Sequence, residues 1–186
     1  MNFVTRTWAL CALVVVATLA TTATAHATAR APIDFEKTYT VEIRPGVKLR
    51  PLLSFGYNPL LGRGGEGQYE LAHVGTVAGG AALLIELPDG LEAVFEAAIV
   101  ISTRPGAELD LGAGVFRWST TRRYAFGITA GTSAGLSRLS FAGNFGPAAK
   151  VPTKTVDLVF RVGMRIEVEE RGPGAGPATA LGFEFK

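Results

Sequence analysis

The segment Val156–Val168, VDLVFRVGMRIEV, has an apolar residue at every second position along its whole length. Side chains of a β-strand alternate between two faces, so this segment has one apolar face and one face that carries Asp157, Arg161, Arg165 and Glu167. Strands of soluble proteins usually have about 5–6 residues, whereas a strand that crosses a bilayer needs about 9–11. The segment therefore predicts a long strand, of a length that can span a membrane.

Two-residue alternation is also the dominant pattern elsewhere beyond residue 27, and no part of that region shows sustained helical periodicity. Turn signals such as Pro-Asp-Gly and Pro-Gly separate the alternating segments. Apolar residues keep one parity within each of six further regions: Tyr39 to Phe55, Leu83 to Ile101, Leu109 to Val115, Tyr124 to Ala130, Leu139 to Phe145, and Leu181 to Phe185. The pattern predicts an all-β fold, an antiparallel up-and-down β-barrel.

Parity also predicts which residues face each other in hairpins, because a slip of one residue would turn every side chain to the other face. We place turns at residues 119–122, 132–135, 146–154 and 171–177. The predicted pairs are Val115 with Phe126, Ile128 with Leu139, Phe141 with Phe160, and Ile166 with Phe183. Together the four turns predict one continuous antiparallel meander.

The tripeptide Arg-Pro-Gly occurs twice, at residues 44–46 and 104–106. The second copy predicts a three-residue hairpin loop that pairs Ile101 with Leu111. The first copy predicts either a similar hairpin, pairing Ile43 with Leu49, or one strand that bends at Pro45. A hairpin is favoured, because a continuous strand would place this proline within a ladder of hydrogen bonds.

The number of strands depends on the first copy. Eight strands are expected if residues 41–55 form one bent strand and residues 68–87 form another, and ten if both segments are hairpins. An even number is expected for a closed barrel. Residues 58–67, NPLLGRGGEG, are predicted to form a loop.

The first 27 residues resemble a secretory signal peptide. Arg6 precedes a 13-residue apolar run, Trp8–Ala20, and small residues then offer cleavage sites after Ala25 or Ala27. The run is shorter than the ~20 residues of a membrane-spanning helix. Cys11 lies near the start of the run and lacks the setting of a lipid-modified cysteine. Residues 28–186 are expected to form one β-barrel domain.

The composition of residues 28–186 limits the classes of partner. This region contains 17 Lys or Arg, 16 Asp or Glu, and no cysteine. A near-neutral charge without basic runs argues against nucleic acid as a partner. If the chain is exported, three locations are open: the periplasm, the outer membrane and the extracellular medium.

Alternation alone does not show which face is exposed to water. A soluble barrel or sandwich buries its apolar face, whereas a membrane barrel presents that face to lipid. Strand length and the polar face, which carries small residues and opposite charges in place of many lysines, favour a membrane barrel. Aromatic residues near proposed strand ends agree with an interfacial belt: Tyr57, Tyr69, Trp118, Tyr124 and Phe145.

By length, signal peptide, alternating strands and the closing segment TALGFEFK, the chain resembles the small bacterial outer-membrane β-barrel proteins, the OmpA-like and OmpW-like group. Members typically end on an aromatic residue with apolar residues at every second position before it. Leu181, Phe183 and Phe185 fit that spacing, but Lys186 follows them. The resemblance implies outer-membrane lipid and the outer-membrane assembly machinery as partners, in a Gram-negative bacterium.

Histidine is the first candidate for catalysis. Some eight-stranded outer-membrane barrels are lipid-modifying enzymes that use a histidine with a serine close by in the same strand. His73 is the one histidine beyond residue 27; Ala72 and Val74 flank it, and the nearest following hydroxyl belongs to Thr76. The sequence therefore favours a non-enzymatic role for His73, and a lone histidine argues against a histidine-rich metal site.

Other candidates have simpler structural explanations. The glycines of residues 62–67, GRGGEG, have dinucleotide-motif spacing but lack the required strand and helix. Carboxylates occur in three groups, which we interpret mainly as ion-pair partners and rim charges. They are Glu86, Glu92 and Glu96; Glu108 and Asp110; and Glu167, Glu169 and Glu170, with Arg138, Arg161 and Arg165 as the expected cationic partners.

The sequence thus predicts a monomeric, non-enzymatic outer-membrane β-barrel with a structural, adhesive or small-solute role. No catalytic, cofactor-binding or metal-binding residue is assigned, and no cofactor is expected. The alternative is a soluble exported β-sandwich or lipocalin-like barrel that binds a ligand or partner through its loops.

Overall fold

The computed structural model describes residues 39–63, 68–104, 106–136, 140–169 and 172–186. The predicted signal peptide, Cys11 and Arg138 lie outside the described residues, as do Glu170 and most of the GRGGEG segment. The strands are β1 (Val41–Arg44), β2 (Val47–Arg63), β3 (Tyr69–Glu86), β4 (Leu91–Ser102), β5 (Ala107–Trp118), β6 (Ala125–Gly135), β7 (Ser140–Pro152), β8 (Val156–Glu169) and β9 (Gly172–Phe185). A short 3-10 turn, Pro88–Gly90, joins β3 to β4. No helix in the described residues is long and apolar enough to cross a membrane.

Strands β2 to β9 form a closed ring. Each strand pairs antiparallel with the next along the chain, and β9 pairs antiparallel with β2. We call the end of the barrel where β2 begins and β9 finishes the terminal end, and the other the opposite end. The predicted eight-stranded antiparallel β-barrel is therefore confirmed.

The pairing also fixes the tilt of the strands. Following paired residues once around the ring leads from Leu52 through Gly80, Ala98, Asp110, Ser133, Ala142, Glu167 and Gly174 to Gly62. The path returns to β2 ten residues beyond its start. With ~3.3 Å per residue and ~4.8 Å between strands, this slip corresponds to a strand tilt of about 40°, within the usual range for barrels.

Strand β1 lies outside the ring. It forms a hairpin with the first residues of β2, pairing Val41 with Leu49, so the first Arg-Pro-Gly copy is a hairpin as predicted, with a pairing shifted by two residues. The rest of that edge of β2 is occupied by β9, and the backbone N–H of Tyr39 donates to the carbonyl of Lys186 at 2.7 Å. The alternative of one bent strand is wrong. The ring still has eight strands, because β1 is not part of it and residues 69–86 form a single strand.

The predicted pairs have the correct faces but the wrong register. Val115 pairs with Ile128 and not with Phe126, a shift of two residues. At the second Arg-Pro-Gly copy, Ile101 pairs with Ala107 and not with Leu111, a shift of four. All these shifts are even numbers, which preserves the face on which each side chain lies.

The remaining three hairpins are shifted by eight residues because three predicted turns lie inside strands. Residues 132–135 belong to β6, residues 146–152 to β7, and residues 172–177 to β9. As a result, Phe141 pairs with Val168, and Phe160 with Leu181. The predicted loop at residues 58–67 is also wrong in part, because β2 continues to Arg63.

Large apolar side chains cover the outside of the barrel, whereas charged side chains point inward. Exposed examples occur on seven of the eight ring strands: Phe55, Leu61, Leu71, Val77, Phe95, Ile101, Val115, Phe126, Ile128, Phe141, Phe145, Phe160, Val162, Met164 and Ile166. On β9, Leu181 and Phe183 are half-buried at the corresponding positions. Among the described side chains of the ring, Arg117 is the single charged group that points to the outside of the barrel.

We expect Gly176→Val to prevent normal closure of the ring. Gly176 points inward on β9, and a Cβ atom there would clash with the carbonyl group of Pro59 on β2. Overpacking of this kind costs about 1–3 kcal/mol or more. The variant should show a lower free energy of unfolding in urea and less of the compact, heat-modifiable form on denaturing gels.

Gly79→Val is the matched control. Gly79 lies on the outward face of β3, and a Cβ atom there would have nothing within 4 Å. This variant should match the parent chain. Equal losses in the two variants would contradict the assignment of inward and outward faces.

Candidate functional site: the barrel lumen

The inward side chains form two ion-pair clusters separated by a polar cavity. The terminal-end cluster contains Arg50, Glu92, Lys150, Asp157 and Glu184. The opposite-end cluster contains Arg104, Glu108, Ser133, Arg165 and Glu167. Every member except Arg104, which lies in the turn between β4 and β5, comes from a strand, so the barrel wall fixes most of these positions.

Lys150 is at the centre of the terminal-end cluster and has no solvent-exposed surface. Its ammonium lies 2.8 Å from one carboxylate oxygen of Glu92 and 2.8 Å from one of Glu184. It also lies 4.7 Å from the centre of the Phe116 ring, a cation–π geometry. The indole N–H of Trp118 donates to Glu92 at 3.3 Å. The buried cation is thus compensated by two carboxylates and an aromatic face.

Asp157 extends the same cluster towards the chain ends. Arg50 Nη1 lies 2.6 Å from Asp157 Oδ2, and Lys186 Nζ lies 2.8 Å from Asp157 Oδ1. Arg50 also donates from Nε to the hydroxyl of Thr40 at 3.2 Å. Lys186, which departs from the aromatic ending of the resembled group, therefore has a structural contact inside the barrel.

Arg165 organises the opposite-end cluster. Its Nη2 lies 2.9 Å from Glu108 Oε2, its Nη1 donates to Ser133 Oγ at 3.2 Å, and its Nε lies 3.5 Å from Glu167. Arg104 reaches the other oxygen of Glu167 at 3.1 Å. One guanidinium group thus links β5, β6 and β8 across the lumen.

A polar cavity of about 110 Å³ lies between the two clusters. Arg161 and Glu96 form an ion pair within its lining, and Asn144 and Thr129 add polar groups. Asp110 also lines it, with Oδ1 buried and without a hydrogen-bond partner among the described residues. The cavity has room for several water molecules.

Apolar side chains fill the lumen on the terminal side of the cavity. They are Ala82, Leu84, Val94, Phe116, Ala125, Ala148 and Val159. Phe116, Ala125 and Val159 have no solvent-exposed surface, as is also true of Lys150. No water-sized passage therefore runs beside these side chains, and the lumen is sealed at this level.

The structure confirms the expected ion pairs of Arg161 and Arg165 and adds a cluster that the sequence did not predict. Glu96, Glu108 and Glu167 all have arginine partners. Lys150 was missed because its segment was interpreted as a loop. The available signal was the parity of residues 141–151, which keeps apolar or small side chains on odd positions and places residue 150 on the inward face.

His73 lies on the outside of the barrel. Its Nδ1 is 2.5 Å from the hydroxyl of Tyr57, and the two rings stack with centroids 6.0 Å apart. Thr76 lines the cavity and so points to the other face of β3. His73 and Thr76 therefore lie on opposite faces of β3 and do not contact each other.

The residues of the predicted aromatic belt do not all lie on the outside of the barrel near strand ends. Tyr57, Tyr69 and Tyr124 are exposed on the outside. Trp118 points into the lumen, and Phe145 lies in the middle of β7 and not at a strand end. Within the described ranges, no three His, Cys, Asp or Glu side chains converge as metal ligands.

No protein-family model and no curated protein matches the sequence. Among solved structures, the chain is similar to one described as "De novo design of transmembrane beta-barrels". The identity is 15%, the TM-score is 0.46, and the match covers 77% of this chain and 99% of the other.

Lys150→Met should strongly destabilise the barrel. The substitution leaves Glu92 and Glu184 buried without their closest cation, and breaking a buried ion pair from one side costs about 3–5 kcal/mol. Urea unfolding of the protein in lipid vesicles measures the loss. Adding Glu92→Gln and Glu184→Gln should restore most of it, because the uncompensated charges are then removed.

Lys48→Met is the control for charge alone. Lys48 pairs with Glu86 at 2.7 Å, but both side chains are partly exposed at the terminal end. The expected loss is below about 1 kcal/mol. A similar loss in the two lysine variants would show that the lumen cluster contributes no more than a surface pair.

Proposed function

We propose that this chain is an integral outer-membrane β-barrel with a structural, non-enzymatic role. The observation that carries the proposal is the inverted distribution of polarity: charged side chains occupy the lumen, and apolar side chains cover the outside of the closed ring. A soluble protein rarely exposes a contiguous apolar surface larger than a few hundred Å². Lipid is the solvent that accommodates such a surface around the whole circumference.

The dimensions of the ring support the same proposal. The shortest ring strand, β6, has 11 residues. At a tilt of about 40° and ~3.3 Å per residue, it extends about 28 Å along the barrel axis, which covers the ~25 Å apolar band of membrane barrels. Every ring strand is therefore long enough to cross the hydrocarbon layer.

Closure of the ring satisfies the remaining requirement of a membrane. Backbone N–H and C=O groups find no water in the hydrocarbon layer, so a spanning sheet cannot leave an open edge there. The β2 and β9 ladder removes the edge that an open sheet would have. A sandwich with free edges would not meet this requirement.

The sealed lumen favours a structural role over passage of solutes. Phe116, Lys150 and their neighbours leave no water-sized passage, and eight strands enclose an interior that side chains just fill. The outward position of His73, away from Thr76, supports a non-enzymatic role. We further propose that the barrel is monomeric and enters the membrane through the outer-membrane assembly machinery, as in the OmpA-like and OmpW-like group that the sequence resembles.

Introducing a charged residue on the outside of the barrel distinguishes a membrane barrel from a soluble one. Val162 is 58% exposed near the middle of β8, and Val168 is 54% exposed near its end. In a bilayer, Val162→Lys should cost about 2–4 kcal/mol and Val168→Lys about 0–1. Folding free energies in phospholipid vesicles test this difference between two matched positions.

A soluble barrel gives the contrary result. Lysine at Val162 would then face water, with no cost, and the parent protein would fractionate with the periplasm or medium without detergent. Recovery in the outer-membrane fraction, with a depth-dependent cost of lysine, supports the proposal. Vesicles that hold the folded barrel should release small solutes no faster than empty vesicles, because the lumen is sealed.

A further inference from the structure

The turn between β5 and β6 is held in one conformation by Ser119. The Ser119 hydroxyl accepts hydrogen bonds from the backbone N–H of Arg123 at 3.1 Å and of Tyr124 at 3.4 Å. Its backbone N–H donates to Tyr124, and its carbonyl accepts from Arg122. Four hydrogen bonds thus fix this six-residue connection at the terminal end of the barrel.

Arg122 has a backbone conformation that favours glycine. Its φ angle is 50°, in the left-handed region, and such a conformation costs a residue with a side chain about 1–2 kcal/mol. Strained residues of this kind often lie at functional sites. The strain here holds an arginine, and not a glycine, at the tip of the turn.

Three arginines meet the solvent at this turn. Arg117, Arg122 and Arg123 are all exposed, and none makes an ion pair with a described residue. Arg122 is close enough to interact electrostatically with Glu86, but that carboxylate already pairs with Lys48 at 2.7 Å. The charge of the three guanidinium groups is therefore largely uncompensated within the described chain.

The arginines lie at the border of the apolar wall. Arg117 is on the outward face of β5, directly between its paired residues Leu91 and Phe126. The Tyr124 and Phe126 rings contact each other on the same side, with centroids 5.5 Å apart. Arginine stems that run along apolar surface and aromatic rings beside them are typical of the membrane interface.

Resting on the membrane location proposed above, we infer that the 117–124 turn binds the phosphate of an anionic phospholipid headgroup. Guanidinium groups recognise phosphate with paired N–H donors. The acyl chains of such a lipid would lie on the apolar wall around Phe126, directly below the phosphate. This continuity with the lipid-facing surface favours a lipid over a free phosphate compound.

Native mass spectrometry of the protein in detergent tests the inference. The protein is titrated with phosphatidylglycerol or with phosphatidylcholine of the same acyl chains, and bound lipids are counted. The first phosphatidylglycerol should bind roughly 100-fold more tightly than the first phosphatidylcholine, since each of the three arginines contributes roughly a fivefold gain near an anionic headgroup.

Arg122→Gln with Arg123→Gln should reduce this preference to roughly fivefold, because only Arg117 remains and each charge contributes roughly a fivefold gain. The matched control, Arg44→Gln with Lys154→Gln, removes two exposed cations from the same end of the barrel but outside the turn. It should keep the preference. All four side chains are exposed, and heat-modifiable migration checks that each variant has folded.

Three results would overturn the inference: no preference in the parent chain, an equal loss in the two double variants, or displacement of the lipid by free glycerol phosphate. The first two results would show that the turn is not a specific lipid site. The third would identify a soluble phosphate compound as the ligand. A protein that inserts in vesicles but shows no preference contradicts this inference alone. A protein that does not insert contradicts the membrane location itself.

Discussion

Closure of the ring depends on the ladder between β2 and β9, two strands at opposite ends of the described chain. Neighbouring hairpins can form locally, but this pairing must wait until all the intervening strands are in place. Once it forms, the ring removes the open edge of the sheet and encloses the charged side chains. Both the lumen clusters and the continuous apolar exterior therefore depend on the β2–β9 ladder.

Ion pairs between lumen side chains offset the electrostatic cost of burying charges in a narrow interior. An isolated buried charge is expensive, so each of the fully buried ionic groups has an opposite charge nearby. Lys150 and Glu184, for example, have no exposed surface and contact each other. The two clusters also join strands that are not neighbours, because Arg165 on β8 reaches Glu108 on β5. They therefore brace the ring across its diameter in addition to its hydrogen-bonded wall.

The sequence predicted the faces of the strands better than their partners. Burial distinguishes one face from the other, so a register error of one residue would expose charges and is easily rejected. An error of two or eight residues keeps all faces correct, and only the turn position excludes it. Proline and glycine misled that choice, since Pro147 and Pro177 lie inside β7 and β9. The ladders lack pairs beside these prolines, at residues 146–147 and 176–178, which shows how the barrel accommodates them. Lys150 was missed for the same reason, whereas Arg161 and Arg165 were predicted correctly because their strand, β8, contains no proline.

The meeting of Tyr39 with Lys186 has a consequence for the connectivity of the barrel. The first and last described residues lie within one hydrogen bond of each other, along a single edge of β2. The two ends of the segment that forms the described sheet, residues 39–186, therefore meet in space. In a chain that begins at Tyr39, a short linker from Lys186 to Tyr39 would give a cyclic polypeptide, and reopening it at the exposed 153–155 turn would give a circularly permuted barrel with the same wall. The fold is therefore defined by which strands are neighbours in the ring, and not by which strand comes first in the chain.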